Sequence, residues 1–284
     1  VSLKQLPRIE AIAPAKICAF EQDVRTLDRW NANVITNDAS DNTISVLDVI
    51  GADYISGEGA TAKRIAAALR SIGNKDVIVN INSPGGDFFE GVAIYNLLRE
   101  HPAKVTVQVL GLAASAASII AMAGDEILIA KSAFLMIHNV LVVAMGNRQD
   151  LSDAIATMEP FDDALAGVYA DRSGKSKAEI AKLMDAETWF NGEDAIKNGL
   201  ADGILPSSKV KEDKTKASAN NAINATRRVD ALLAQNGLSR SERRSLIASM
   251  KHGTHDATVN GMHDAADEIE ITAGLNRLLE TIQS

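Results

Sequence analysis

The chain has 284 residues, 46% of them hydrophobic, which excludes a wholly disordered or fibrous protein and is enough for one sizeable core with a small appendage. With 29 Lys and Arg against 37 Asp and Glu, its formal net charge is -8, and it lacks the basic excess by which nucleic-acid binders collect phosphate contacts. Its one cysteine, Cys18, leaves no internal disulfide framework and no Cys-rich zinc ribbon, and fits a reducing compartment.

Residues 1–42 are mixed and turn polar at Asn37, Asp38, Ser40, Asp41 and Asn42, so they are expected to form an N-terminal arm. Pro7, Glu10 and Pro14 break up the only hydrophobic stretch near the start, and no secretory leader is predicted from it. Ile44, Val46, Leu47, Val49 and Ile50 predict a strand over 43–50, and Ile65, Ala68, Leu69 and Ile72 recur at helical spacing over 61–72. A β-branched run over 76–81 stops at the breaker Asn82-Ser83-Pro84-Gly85-Gly86. A helix over 89–100 follows, ended by His101-Pro102.

The nearly apolar stretch 105–124 is long enough to span a membrane. Gln108, Ser115 and Ser118 interrupt it, however, and Gly111 divides a β-branched half (Val105, Thr106, Val107, Val109) from an Ala-rich half. The reading is buried strand, turn, buried helix. Strand alternating with helix in this way predicts an α/β fold with a parallel sheet and right-handed crossovers.

Two short strands, 126–130 and 133–137, lead into His138-Asn139. A long helix is expected over 149–172, with Leu151, Ile155, Met158, Leu165 and Val168 on one side. Ser176 and Glu179 have capping-box spacing and open a helix over 176–184. Residues 189–205 read as a turn, a small helix stopped at Gly199, and a terminal strand. Gly174-Lys175-Ser176 resembles the end of a phosphate-binding loop, but Tyr169 stands where that loop needs glycine, and no nucleotide site follows.

After Pro206 the composition shifts to Ser, Lys, Asp and Asn, which predicts a flexible linker over 207–220. Helices are expected over 223–235 and 240–250, separated by Asn236-Gly237, with a third over 273–282. Arg227, Arg228, Arg240, Arg243 and Arg244 lie among leucines and are expected to form solvated basic faces. The predicted organisation is thus an arm (1–42), a main domain (43–206), a linker (207–220) and a helical C-terminal region (221–284).

Unusual residues gather at two turns: Gly85-Gly86 and the small-residue turn at Gly111-Leu112-Ala113-Ala114-Ser115-Ala116. In a parallel sheet both lie beyond carboxyl ends of strands, where clefts open. A serine between strand and helix has helix N-terminal N–H groups beside it, which can hold an oxyanion. Ser115 is therefore either a nucleophile or a plain helix cap. Of the five histidines, His252, His255 and His263 lie in a polar region and His101 lies in a turn, whereas His138 ends the apolar strand Phe134-Leu135-Met136-Ile137. It is either a core histidine or a base for Ser115. Asp185 and Glu187 are the carboxylates that would orient it.

The order Asn82-Ser83-Pro84-Gly85-Gly86, Gly111-x-Ala113-Ala114-Ser115, Met136-Ile137-His138, then Glu193-Asp194-Ala195 and Gly199-Leu200-Ala201-Asp202 resembles the Clp-type serine peptidases. Within that ClpP-like family it is most similar to phage and prophage head-maturation proteases, and the resemblance covers residues 43–206. It implies a ClpP/crotonase-like superhelical fold of repeated β-β-α units, with a small helical appendage. It also implies acyl transfer, with Ser115 as nucleophile, His138 as general base, and the Gly86 and Ala116 N–H groups as oxyanion donors. Family members commonly carry Met at the position of Ala116, a change to which a backbone donor is insensitive. Aligning Thr188-Trp189-Phe190 puts Glu187 where the family usually has Asp; Asp185, two residues away, is the alternative acid.

No metal or cofactor is implied. The resemblance implies a protein or peptide substrate aligned as an added strand beyond the Gly-Gly turn, with capsid or scaffold proteins as targets in the head-maturation members. It implies homo-oligomeric rings that pair through the helix over 149–172, and an ATPase unfoldase partner in housekeeping members. It further implies the cytoplasm of a bacterial host cell, or an assembling procapsid, with residues 207–284 as a segment directed to capsid or scaffold. Two other functions share the fold. A crotonase-type acyl-CoA enzyme needs no Ser-His pair, and a non-catalytic assembly protein would keep the architecture without using the site.

Overall fold

The computed structural model describes residues 17–18, 23–37, 40–144 and 146–259. The first described elements are β1 (Ile17–Cys18), α1 (Val24–Arg29) and β2 (Val34–Thr36), and the main sheet is entered at β3 (Thr43–Val46). Next come α2 (Ala62–Ile72), β4 (Val77–Ser83), α3 (Phe88–Arg99), β5 (Val105–Ala114), α4 (Ala116–Ala121), β6 (Glu126–Ala130) and β7 (Phe134–Ile137). After β8 (Val143–Ala144) follow α5 (Arg148–Ser173), α6 (Lys177–Asp185), β9 (Thr188–Asn191), α7 (Gly192–Lys197) and β10 (Gly203–Leu205). Finally come β11 (Val210–Glu212), α8 (Ala217–Gln235) and α9 (Arg240–Val259).

Five strands run parallel in the order β10-β6-β5-β4-β3, as the strand-helix alternation predicts. β4 and β5 at the centre are buried on both faces, which is why their sequences are nearly continuous apolar runs. β5 does not stop at Gly111. Beyond Val109 its edge leaves β6, and Leu112, Ala113 and Ala114 pair with Phe134, Leu135 and Met136 of β7. The expected turn at Gly111 is instead an irregularity inside one long strand, where the β4 register jumps between Ile81 and Ser83. Asn82 holds that irregularity: its Oδ1 accepts the Leu112 N–H at 3.1 Å. A Cβ on Gly111 would sit 2.8 Å from that same oxygen. β9 then returns antiparallel on β7, giving strand where a turn is predicted at residue 189.

The sides of β5 and β7 turned away from the main core carry a second apolar cluster. Leu27 and Trp30 from the α1 region pack there with Leu112, Ala114, Met136 and Ala231, with Trp189 beside them. The Trp30 indole N–H donates to the Asn82 carbonyl at 3.1 Å, and the Asn82 amide donates to the carbonyls of Asn31 and Val34. Residues 23–36, expected as part of a free arm, are therefore built into the domain.

The linker predicted over 207–220 is also structured. β11 pairs antiparallel with β2, Val210 opposite Thr36 and Glu212 opposite Val34, and α8 begins at Ala217. The polar composition that reads as a linker records side chains, whereas backbone pairing holds this segment. The chain divides into two compact units after Ser239, not after Pro206. α9, in the second unit, runs to Val259 where a helix over 240–250 is expected; the predicted helix over 273–282 lies outside the described residues.

Arg227 of α8 departs from its predicted solvated face: it is 4% exposed, with Nη2 2.6 Å from Asp48 and 2.7 Å from Asp53. Removing one partner from a buried ion pair leaves the others as uncompensated charges. Arg227→Met is expected to lower unfolding free energy by about 3 kcal/mol or more, read as a shifted urea midpoint with unchanged slope.

Candidate active site

Ser115 sits between the end of β5 and the start of α4, with φ 55° and ψ -127°. Its N–H donates to the Met136 carbonyl at 3.0 Å, which continues the β5–β7 ladder one residue further. It occupies the N-cap position of α4, yet its hydroxyl makes no capping bond. Among the described residues, only Ser115 and Glu187 combine a side chain with positive φ. Such strain persists where the surrounding packing over-determines it, most often at functional sites.

His138 follows β7 directly. Because β7 lies alongside the last residues of β5, the imidazole and the hydroxyl come to the same sheet end: His138 Nε2 is 2.7 Å from Ser115 Oγ. The ring is buried, and burial is the main reason its pKa lies below the ordinary histidine value. The charges of Asp23 and Glu187 pull upward against it, and that of Arg25 adds to the lowering. A neutral imidazole with one nitrogen on a serine hydroxyl can accept its proton.

Two backbone donors stand beside this pair. Gly85 and Gly86 have φ 95° and 146°, so the turn presents its backbone in a conformation side chains rarely adopt. A Cβ on Gly85 would lie 2.7 Å from the Ser115 Cβ, so only glycine lets the turn approach the serine this closely. Gly86, Ser115, Ala116 and His138 line one pocket, whose wall includes Phe88, Ile119 and Leu165. Among the described residues neither the Gly86 nor the Ala116 N–H has an intramolecular acceptor, as expected for Ala116 in the first turn of a helix.

The carboxylates are arranged differently from expectation. Asp185 accepts from the Asn139 amide at 2.8 Å and is engaged one residue past the histidine, not on it. Glu187 pairs with Arg25 Nη1 at 2.5 Å. Arg25 also reaches Asp23, with Nε 3.2 Å from its carboxylate. Among the described residues the hydrogen bond to Ser115 is the only one made by the His138 ring. Asp23 and Arg25 escape a reading of the sequence because nothing local marks a six-residue helix near the N-terminus as a neighbour of residue 138.

Ser118, the next hydroxyl along the chain and one helical turn away, is fully committed: its Oγ donates to the Ser115 carbonyl at 2.6 Å and lies 2.7 Å from the Tyr169 hydroxyl. Tyr169 is buried. Ser118→Ala is expected to cost about 1–3 kcal/mol by leaving that phenol unpartnered, while Ser115 retains its reactivity towards a fluorophosphonate. Thermal melts and mass mapping of the labelled peptide check both halves.

A family model described as Clp protease matches residues 57–208, just over half of the chain. The ATP-dependent Clp protease proteolytic subunit 1 of Protochlamydia amoebophila is 32% identical over 137 residues, covering 47% of this chain and 66% of that protein. The ATP-dependent Clp protease proteolytic subunit of Ligilactobacillus salivarius is also 32% identical over 137 residues, covering 48% of this chain and 70% of that protein. A ClpP1 mutant from Listeria monocytogenes aligns in structure with a TM-score of 0.49 and 22% identity, over 59% of this chain and 92% of that one. The chain thus spans about two thirds of the length of the curated relatives it matches. Gly86, Ser115, Ala116, His138 and Glu187 fall inside the matched residues; Asp23 and Arg25 fall outside them.

Proposed function

The chain belongs to the Clp protease family of serine peptidases, and from that membership we propose that it is an endopeptidase whose nucleophile is Ser115 and whose general base is His138. The observation that carries this reading is the 2.7 Å contact between Oγ and Nε2 at a serine with φ 55°. Ser115 Oγ attacks the peptide carbonyl as its proton passes to His138 Nε2. The oxyanion that forms is received by the Gly86 and Ala116 N–H groups. Collapse of the tetrahedral species returns the proton to the leaving amine, and a water activated by the same imidazole then releases the acyl group. By the order of the motifs Glu187 is the carboxylate proposed for the family's third position, and its charge is one of two that favour the protonated imidazole. The crotonase-type reading gives no work to the Ser-His contact, and a non-catalytic assembly protein gives no reason for the strained serine.

The finer reading is a head-maturation protease that cuts capsid or scaffold protein as a ring-forming homo-oligomer in a bacterial host cell. Supporting self-association, Leu151 and Ile155 on the predicted apolar side of α5 are 43% and 61% exposed in the single chain. Among the described residues no helix is long and apolar enough to cross a membrane. A second reading, a proteolytic subunit served by an ATPase unfoldase, is favoured by the names of the relatives.

The test of the shared activity is fluorophosphonate labelling of the purified chain, mapped to Ser115, with cleavage of an unfolded model protein. No adduct and no cleavage would overturn it. The two finer readings separate on nucleotide: cleavage of scaffold protein without ATP favours the first, and degradation of a folded protein only with ATP and an unfoldase favours the second.

A further inference from the structure

The charges of two carboxylates and one guanidinium act on the buried imidazole, and only one of the three groups, Glu187, has a place in the motif order of the resemblance. Asp23 is the residue immediately before α1. It is 8% exposed, its Oδ1 accepts the Arg25 N–H at 3.0 Å as the helix N-cap, and the other contacts of its carboxylate are to the Arg25 side chain. α1 is held against the catalytic strands by Leu27 and Trp30, which pack on Ala114, one residue before the serine, and on Met136, two before the histidine. From the same direction the Arg29 guanidinium lies 4.3 Å over the Trp189 ring, two residues beyond Glu187. α1 therefore packs behind the strands that carry the Ser-His pair.

We propose that Asp23 is a positioning residue for His138, supplying the buried carboxylate that stabilises the imidazolium formed when Ser115 gives up its proton. Arg25 ties it to Glu187. The inference rests on the peptidase reading of Ser115 and His138. Glu187 is the weaker of the two carboxylates in this role, because it is 38% exposed and its charge is opposed by a guanidinium at 2.5 Å. Asp23 is shielded from water, so its field is less screened on its way to the ring. In keeping with this, its charge acts on His138 more strongly than that of Glu187.

The charged groups acting on the imidazole are Asp23 and Arg25 from the α1 side and Glu187 from the turn into β9. Asp162 of α5 and Asp185 of α6 are bonded instead to the Val140 N–H and the Asn139 amide. Two negative charges and one positive leave the site with one net negative charge, which protonation of His138 cancels. Each charge-removing variant then has a signed effect. Asp23→Asn removes a negative charge that raises the histidine pKa, so the pKa falls. Arg25→Gln removes a positive charge that lowers it, so the pKa rises.

The experiment is the pH dependence of the second-order rate of fluorophosphonate labelling at Ser115, whose acid limb reports the free-enzyme imidazole. Asn is as good an N-cap as Asp, so Asp23→Asn keeps α1 capped and changes the charge alone. The expected result is an acid limb moved to lower pH with a plateau reduced about 10- to 100-fold, an acid limb moved to higher pH in Arg25→Gln, and a smaller downward move in Glu187→Gln than in Asp23→Asn. A purely structural Asp23 would change the melting temperature and leave the acid limb in place, which overturns the inference. So does a larger shift in Glu187→Gln than in Asp23→Asn. Should Asp23→Asn not fold, Arg25→Gln decides, since the Arg25 side chain is 63% exposed, and an unmoved acid limb there is equally fatal. An unmodified chain that takes no label overturns the peptidase reading together with this inference, whereas labelling with unmoved limbs overturns this inference alone.

Discussion

Ser115→Ala is expected to abolish fluorophosphonate labelling and to lower peptide-bond cleavage by about 10⁴- to 10⁶-fold, the loss that follows when the nucleophile of a serine-histidine site is removed. The expected residual activity comes from the oxyanion donors and substrate binding, which the substitution leaves in place. Alanine retains the Cβ, so the backbone at φ 55° and the β5–β7 ladder bond from the Ser115 N–H are undisturbed, and stability should stay within about 1 kcal/mol of the parent. His138→Ala should fall to a similar level, and the double variant no lower, because the two groups act as one unit. Unchanged turnover in Ser115→Ala would instead support an acyl-CoA enzyme working through the backbone donors alone, and would remove the serine mechanism altogether.

Ser115 and His138 are brought together for a reason partly legible in the sequence: each lies just past a run read as buried strand, and successive parallel strands deliver their ends to one edge. Strand termini fix direction and edge even when register is unknown, and the 2.7 Å contact follows from β7 pairing with Leu112, Ala113 and Ala114. What is not legible depends on pairings over long sequence distance. The β11–β2 ladder joins Val210 to Thr36 and Glu212 to Val34 through backbone groups whose side chains are ordinary surface residues. Arg227 looks like any helix-surface arginine until Asp48 and Asp53 are brought against it. The same holds for the carboxylates: Glu187 follows from motif order, but its engagement by Arg25 does not. Gly111 misleads in the opposite sense. It reads as a turn, yet it serves close approach of Asn82 within a continuous strand.

Gly86→Ala should reduce peptide cleavage by about 10³-fold or more and destabilise the fold at the same time. The residue has φ 146°, and a Cβ built there lies 2.2 Å from the Ile50 carbonyl oxygen and 3.0 Å from the Ile50 nitrogen. Neither atom is free to move. Ile50 donates to the Gly85 carbonyl at 2.8 Å and accepts from the Asp87 N–H at 3.0 Å. Asp87 in turn caps α3 through the Glu90 N–H at 3.0 Å. Relief of the clash has to displace the turn itself, and with it the N–H of Gly86, which lines the same pocket as the serine. Losing one oxyanion donor costs about 10²- to 10³-fold, displacing the neighbouring turn adds misalignment of the nucleophile, and the forced backbone adds about 1–3 kcal/mol of strain. Gly73→Ala separates these causes. Gly73 also has positive φ, 71°, but a Cβ there meets nothing within 4 Å, so Gly73→Ala should cost about 1–3 kcal/mol from backbone strain alone and leave cleavage unchanged. If Gly86→Ala behaved like Gly73→Ala in both melting and turnover, the close approach of Gly86 to Ile50 would be irrelevant to catalysis, and the oxyanion would have to be held by the Ala116 N–H with some other donor.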